Sequence, residues 1–443
     1  MYALLGPALL ALALSGQDSR PVIDEGLTQA ELEAMTAAIL EDIEALRGAE
    51  YTREVKVSIA DHEGFLSYVD ERIDRMTTPD KLRAEELALK VFGLIEPDMD
   101  YMATQMEILE SQVGGFYDPA TESFCLMDSF QGGLAKIILA HELTHALDDQ
   151  LYDIDGTLDR LDGNADAQLA YQAVVEGSGT GLMNRWMIGN LGKEVSMEDL
   201  QGAEVMDTAS LEDAPACMWK PLMMVYLRGA SFLCRSDNVM VGQMGNIADE
   251  DLHRAFTAPP RSSEQVLHPE KYWDADRRDE PTPVRLDTSR LEAAGWKLLH
   301  TETLGEAQLA LVTSPMDERG GLDASNPMAL LGMRYTNRAA EGWDGDRYTM
   351  LEKDGALLFY FASVWDSEQD QEQFVANLGD QARFLSTSRQ ALASHLAGED
   401  EGSLQQWSAA LGTWSHTALL FNGGDLGLAD LVADVDVLAP IAR

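Results

Sequence analysis

The sequence predicts an α+β protein: a mostly helical region with a small sheet and hairpin ahead of one central helix, then a smaller α+β region. Three patterns carry this. Apolar residues recur at helical spacing over 29–47, 133–150 and 165–186. Two apolar-aromatic runs within 113–127 flank Asp118-Pro119-Ala120-Thr121-Glu122, a hairpin signal, and EVKVSIA at 54–60 alternates like a strand. A second strand pair, DRYTMLEKDGALLFYFASVW at 346–365, folds about Lys353-Asp354-Gly355.

In chain order, Met1–Ser15 reads MYALLGPALLALALS, an apolar run with small residues around Ser15-Gly16 and polar QDSRP after it. It is too short to span a bilayer and resembles a secretory signal over 1–16, although it lacks the usual Lys or Arg. The expected location is therefore periplasmic or secreted. Residues 17–49 are a lead-in and an amphipathic helix with Leu32, Met35, Ile39, Ile43 and Leu46 on one face. Two helices are expected across 62–93, then the hairpin, then helices over 133–150 and 165–186. Residues 193–214 are acidic and pattern-poor, a surface excursion. Residues 215–275 return to apolar helix and loop and end in APPRSSEQVLHPEKYW. At 443 residues the chain exceeds what one core usually fills, so a main domain over 50–275 and an accessory α+β domain over 280–443 are expected.

With 76 acids against 32 bases, the net charge of -44 repels phosphate backbones and anionic lipid, which excludes nucleic-acid binding and polybasic membrane attachment. Cys217–Cys234, the most apolar later stretch, is broken by Lys220, Pro221 and Arg228, so no membrane span is expected in the mature chain. The 3 cysteines make no disulfide framework; Cys217 and Cys234 can pair if the compartment oxidises, leaving Cys125 as a buried thiol.

The chemistry centres on His141-Glu142-Leu143-Thr144-His145 within an apolar helix. On a helix the two histidines lie one turn apart on one face, so both imidazoles can reach one tetrahedral zinc, and Glu142 stands beside them as a general base for a water. A catalytic zinc needs a third protein ligand and an open position. Glu176, inside the apolar run AYQAVVEGSGTGL, is the first candidate because an inward-facing carboxylate needs a partner. Asp159 in GTLDRLDG is the second, with a turn role as its plainer reading. His268 and Tyr272 in LHPEKY are the suggested donors to an oxyanion, with Tyr226 a third choice. His62, His253, His300, His395 and His416 have no ligand-like spacing.

AHELTHALDDQ resembles the active helix of the zincin metallopeptidases, and a downstream glutamate followed by glycine is similar to the gluzincin arrangement. The blocks GGFYDPATESFCLM, ILAHELTHALDDQLYDID, VVEGSGT and PPRSSEQVLHPEKYW together resemble a group of exported bacterial H-E-x-x-H proteins. The resemblance covers roughly 50–275 and extends weakly into GWDGDRYTM at 342–350. It implies a zincin-like fold with one zinc per chain held by His141, His145 and Glu176, Glu142 as base, and a peptide or protein substrate laid along the hairpin strand. One departure stands out. Gluzincins often carry an acid four residues after the ligand glutamate, where this chain has Thr180, so another group must orient the ring, with Asp148, Asp149 and Asp166 the candidates. The expected function is a zinc-dependent hydrolase, foremost an endopeptidase. The alternatives are a zinc-containing binding or structural protein without turnover, and a hydrolase of a non-peptide amide.

Overall fold

The computed structural model describes residues 8–10, 27–118, 121–197, 199, 209–321, 332–398, 401–433 and 436–438. The stretch read as a secretory leader lies outside them apart from Ala8–Leu10, as do Pro119 and Ala120 of the expected turn and much of the acidic excursion. The fold is α+β, helical in its first two thirds and closed by a sheet.

Helix α1 (Gln29–Arg47) starts where Thr28 and Glu31 form a capping box and stops at Gly48, whose φ of 67° suits a residue without a side chain. Strand β2 (Lys56–Ala60) and helices α2 (His62–Met76), α3 (Pro79–Val91) and α4 (Tyr101–Gln112) follow. The expected hairpin is β3 (Val113–Asp118) with β4 (Ser123–Met127), antiparallel in the register Gly115↔Leu126 to Asp118↔Ser123. β2 joins β4 in parallel, and β1 (Ala8–Leu10) lies antiparallel on β3, pairing Ala8 with Phe116 and Leu10 with Val113. The order is β1-β3-β4-β2.

Helix α5 (Gly132–Tyr152) carries the H-E-x-x-H run and is buried nearly all round, which explains its apolar composition outside that run. β3 lies against it because Gly114 and Gly115 have no side chains: a Cβ at Gly114 would stand 2.8 Å from Ile138 Cδ1. After α6 (Ile154–Arg160) comes α7 (Ala165–Asn190), capped by Asn164, and it carries Glu176. Helix α8 (Ala216–Leu233) crosses α7 with backbone touching backbone. A Cβ at Gly229 would meet Ala173 O at 2.0 Å, and one at Gly177 would meet the Gly229 carbonyl carbon at 2.4 Å, so only glycine permits the crossing. α1 completes this layer: Leu32, Ile39 and Ile43 share a core with Ile138, Leu143, Leu147, Leu182 and Trp186.

The closing sheet runs β6-β7-β8-β10-β9, with β6 (Lys297–Glu302), β7 (Trp343–Lys353), β8 (Ala356–Trp365), β9 (Leu404–Leu411) and β10 (Trp414–Phe421) all antiparallel. The β7–β8 turn forms at Asp354 and Gly355, both at positive φ (50° and 82°), as its sequence predicts. Short β5 (Arg285–Asp287) pairs separately with β11 (Asp436–Leu438). Helices Glu368–Asp380 and Ala382–Ala397 pack beside the sheet. Phe92, just past α3, stands edge-on to Tyr348, Phe359 and Phe361 at centroid distances of 6.4, 5.3 and 5.6 Å. The regions 50–275 and 280–443 therefore share one hydrophobic core.

Cys125, Cys217 and Cys234 are all free thiols. Cys217 sits in the first turn of α8 and Cys234 caps its end, so the helix holds them roughly 25 Å apart at 1.5 Å per residue, beyond disulfide reach. Among the described residues no helix is long and apolar enough to cross a membrane.

Candidate metal centre

His141 and His145 lie on successive turns of α5 and project to the same side, toward α7. Their Nε2 atoms are 2.7 Å apart. Glu176 Oε2 lies 3.2 Å from His141 Nε2 and 3.4 Å from His145 Nε2. Two imidazole nitrogens and one carboxylate oxygen thus converge within 4.8 Å of one another, enough to hold a metal ion. The imidazole planes are nearly perpendicular, at 86°. Both histidines and Glu142 are fully buried, and Glu176 is 6% exposed.

Electrostatics at the cluster favours the ligand forms. Burial, and after it the nearby His145, lowers the His141 pKa to about 4, so its ring is neutral near pH 7. Burial alone would raise the Glu176 carboxyl, but attraction to His145 and hydrogen bonds from both imidazoles pull it down to about 2. A neutral imidazole such as His141 and an ionised carboxylate such as Glu176 are donors that zinc takes.

The rings lean on α7 where it has no side chain. A Cβ at Gly179 would stand 2.8 Å from both His141 Cε1 and His145 Cε1 and 3.0 Å from His141 Nδ1. Neither Nδ1 has a hydrogen-bond partner among the described residues. The acids suggested to orient the rings are engaged elsewhere. Asp148 receives Arg47 Nε and Nη2 on Oδ1 (3.0 and 2.6 Å) and Ser178 Oγ on Oδ2 (2.5 Å). Asp149, pushed up to about 6 by burial, accepts from Tyr117 Oη and Ile154 N. Asp166 accepts from Ser263 N.

Of the other residues singled out by sequence, Tyr226 of α8 is brought to the site, its ring 6.0 Å from that of His141. His268 and Tyr272 make their contacts elsewhere. His268 Nε2 bonds Glu306 Oε1 at 2.9 Å. Tyr272 is fully buried, donates its hydroxyl to Ala258 O at 2.7 Å and packs on Phe232 and Trp273. Asp159 is exposed on α6 and is not among the converging ligand atoms. The edge of β3 expected to receive substrate is lined by Ala8–Leu10. A second acidic cluster, Glu264, Asp279 and Asp366, surrounds Lys271 Nζ at 2.6, 3.1 and 2.8 Å and is an ion-pair knot rather than a metal site.

Sequence reasoning missed Arg47, Ser178 and Gly179. Gly179 had a local signal, the repeated glycines of EGSGTG one and three residues after Glu176. Arg47 had none, because its partner lies 101 residues away.

Residues 290–416 match a family described as a domain of unknown function, DUF8575. No curated protein and no solved structure matches the chain. The matched span begins inside the helix Ser289–Ala293 and ends within β10, so it contains none of His141, Glu142, His145 or Glu176.

Proposed function

We propose that the chain is a zinc-dependent hydrolase with a zincin-like catalytic region, most specifically an exported endopeptidase. One observation carries the reading: His141 Nε2, His145 Nε2 and Glu176 Oε2 converge while Glu142 occupies the next position on the same helix. The residues fit the ion. They supply two imidazole nitrogens and one anionic oxygen, and neither Nδ1 has a partner among the described residues, so each can carry the ring proton and leave Nε2 for the metal. His141, His145 and Glu176 would hold it, and zinc bound there supplies Lewis acidity toward water and a carbonyl oxygen.

The protein's own part follows from its side chains. Glu142 removes a proton from the attacking water as its oxygen bonds to the carbonyl carbon, then delivers that proton to the departing amine nitrogen as the C–N bond breaks. Tyr226, whose ring packs 6.0 Å from that of His141, is assigned the oxyanion donor role. An extended peptide takes the β3 edge only in place of Ala8–Leu10, in the antiparallel sense in which that strand lies there.

The burial of the whole cluster favours a second reading, a closed zinc site without turnover. Metal content by elemental analysis, with cleavage of a peptide library, separates the two. About one zinc per wild-type chain, lost in Glu176→Ala, with cleavage abolished in Glu142→Gln, supports the hydrolase. Zinc without cleavage in any preparation favours the closed site, and no zinc in folded protein refutes both.

A further inference from the structure

The α1 helix, expected from sequence to be a lead-in to the catalytic region, sends one cation into the layer between the ligand-bearing helices. Arg47, its last residue, is 7% exposed, while Asp148 and Ser178 are 0% and 2% exposed. Asp148 follows His145 by three residues on α5, and Ser178 follows Glu176 by two on α7. One carboxylate therefore joins three helices: Oδ1 takes both N–H groups of the guanidinium and Oδ2 takes the serine hydroxyl. A carboxylate this deeply buried needs such donors, and a guanidinium fork supplies two of them with the opposing charge.

The neighbouring contacts run the same way. Tyr51 Oη donates to Leu143 O, and Gln150 receives the amides of Thr52 and Arg53, so the segment after α1 grips α5 on either side of the second histidine. On α7, Trp186 Nε1 donates to Asp42 and Arg185 to Leu46 O. The spacing of α5 and α7 sets whether the three donor atoms meet, and zinc tolerates donor displacements of only about 0.2 Å.

We propose that Arg47 is a positioning residue of the metal centre, acting through Asp148 and Ser178 to fix the helix of His141 and His145 against the helix of Glu176. The inference rests on the zinc reading above. Zinc affinity is measured by competition with a chromophoric chelator, and geometry by the visible absorption of the cobalt-substituted protein, for wild type, Arg47→Met, Arg47→Lys, Ser178→Ala and Asp42→Asn. Arg47→Met and Ser178→Ala are expected to raise the zinc Kd by about 10–100-fold, the usual effect of losing an outer support, and to alter the cobalt bands. Arg47→Lys keeps the charge without the fork and falls between them and wild type. Asp42→Asn keeps an acceptor for Trp186 Nε1, lies remote from Asp148, and keeps the wild-type Kd. Wild-type affinity and cobalt spectrum in Ser178→Ala and Arg47→Lys overturn the inference, and these two decide it if Arg47→Met does not fold. A wild type that binds neither ion overturns the zinc reading as well, whereas equal binding by wild type and variants overturns only the role of Arg47.

Discussion

Gly179→Ala sets two physical effects against each other. Replacing a mid-helix glycine by alanine stabilises a helix by roughly 0.5–1 kcal/mol when the backbone permits it, and Gly179 lies inside α7. The added methyl, however, would sit 2.8 Å from a carbon of each of the His141 and His145 imidazoles, where carbon atoms prefer about 3.5–4.0 Å. The rings or the helix must give way by roughly 0.7 Å or more, and such overpacking costs about 1–3 kcal/mol. In the metal-free protein no ion fixes the rings, so they are expected to yield more readily. With zinc bound they cannot, so the cost falls on binding, while the helix gain is common to both states and cancels. At 1.4 kcal/mol per tenfold, the zinc Kd should rise by about 5- to 150-fold, while the melting temperature of the metal-free protein rises slightly through the helix gain. Chelator competition measures the first and calorimetry of the metal-free protein the second. An unchanged Kd in a folded Gly179→Ala protein would show that the rings do not bear on α7 in the working state and would refute the reasoning.

Other outcomes follow from the same geometry. Glu142→Gln should retain zinc and lose turnover by at least 100-fold, measured by metal analysis beside peptide cleavage; comparable activity would remove Glu142 as the base. Tyr226→Phe should lower kcat about 10–1000-fold with KM little changed if its hydroxyl meets the oxyanion, and an unaltered kcat would discard that assignment. The Asp166 carboxyl, raised to about 8 by burial and next by the charges of Asp346 and Glu306, holds its proton more tightly folded than unfolded. Its contribution to stability is therefore full below pH 4 and is lost as pH rises toward 8, up to several kcal/mol. Denaturant unfolding at pH 5 and pH 8 should show Asp166→Asn flattening that decline; an identical pH slope in the variant would count against it.

Much of this architecture was legible because it is local. The capping box at Thr28 and Glu31, the alternation of β2, the Asp354-Gly355 turn and the apolar length of α5 and α7 are each written in a few consecutive residues. The convergence of His141, His145 and Glu176 was legible for the same reason: helical spacing joins His141 to His145, and an acid stranded in an apolar helix needs a buried partner. What could not be read is whatever depends on one segment meeting another. The α7–α8 backbone crossing needs Gly177 and Gly229 together, and nothing in either stretch names the other. His268 looked like a donor until the fold gave it Glu306, and the possible Cys217–Cys234 pair gave way to the helix that separates the two thiols.

Phe92 carries a consequence for how the protein holds together. Its ring is edge-on to three aromatics of the closing sheet, contacts worth roughly 0.5–1.5 kcal/mol each beyond the area they cover. The DUF8575 span contains those three aromatics but not Phe92, and it stops in the middle of β10. Cut out at those limits it would bare an aromatic face and leave a strand half paired, so it should not fold as a free-standing module. Heating should melt both halves in one cooperative transition, and a protease should find no stable fragment between them.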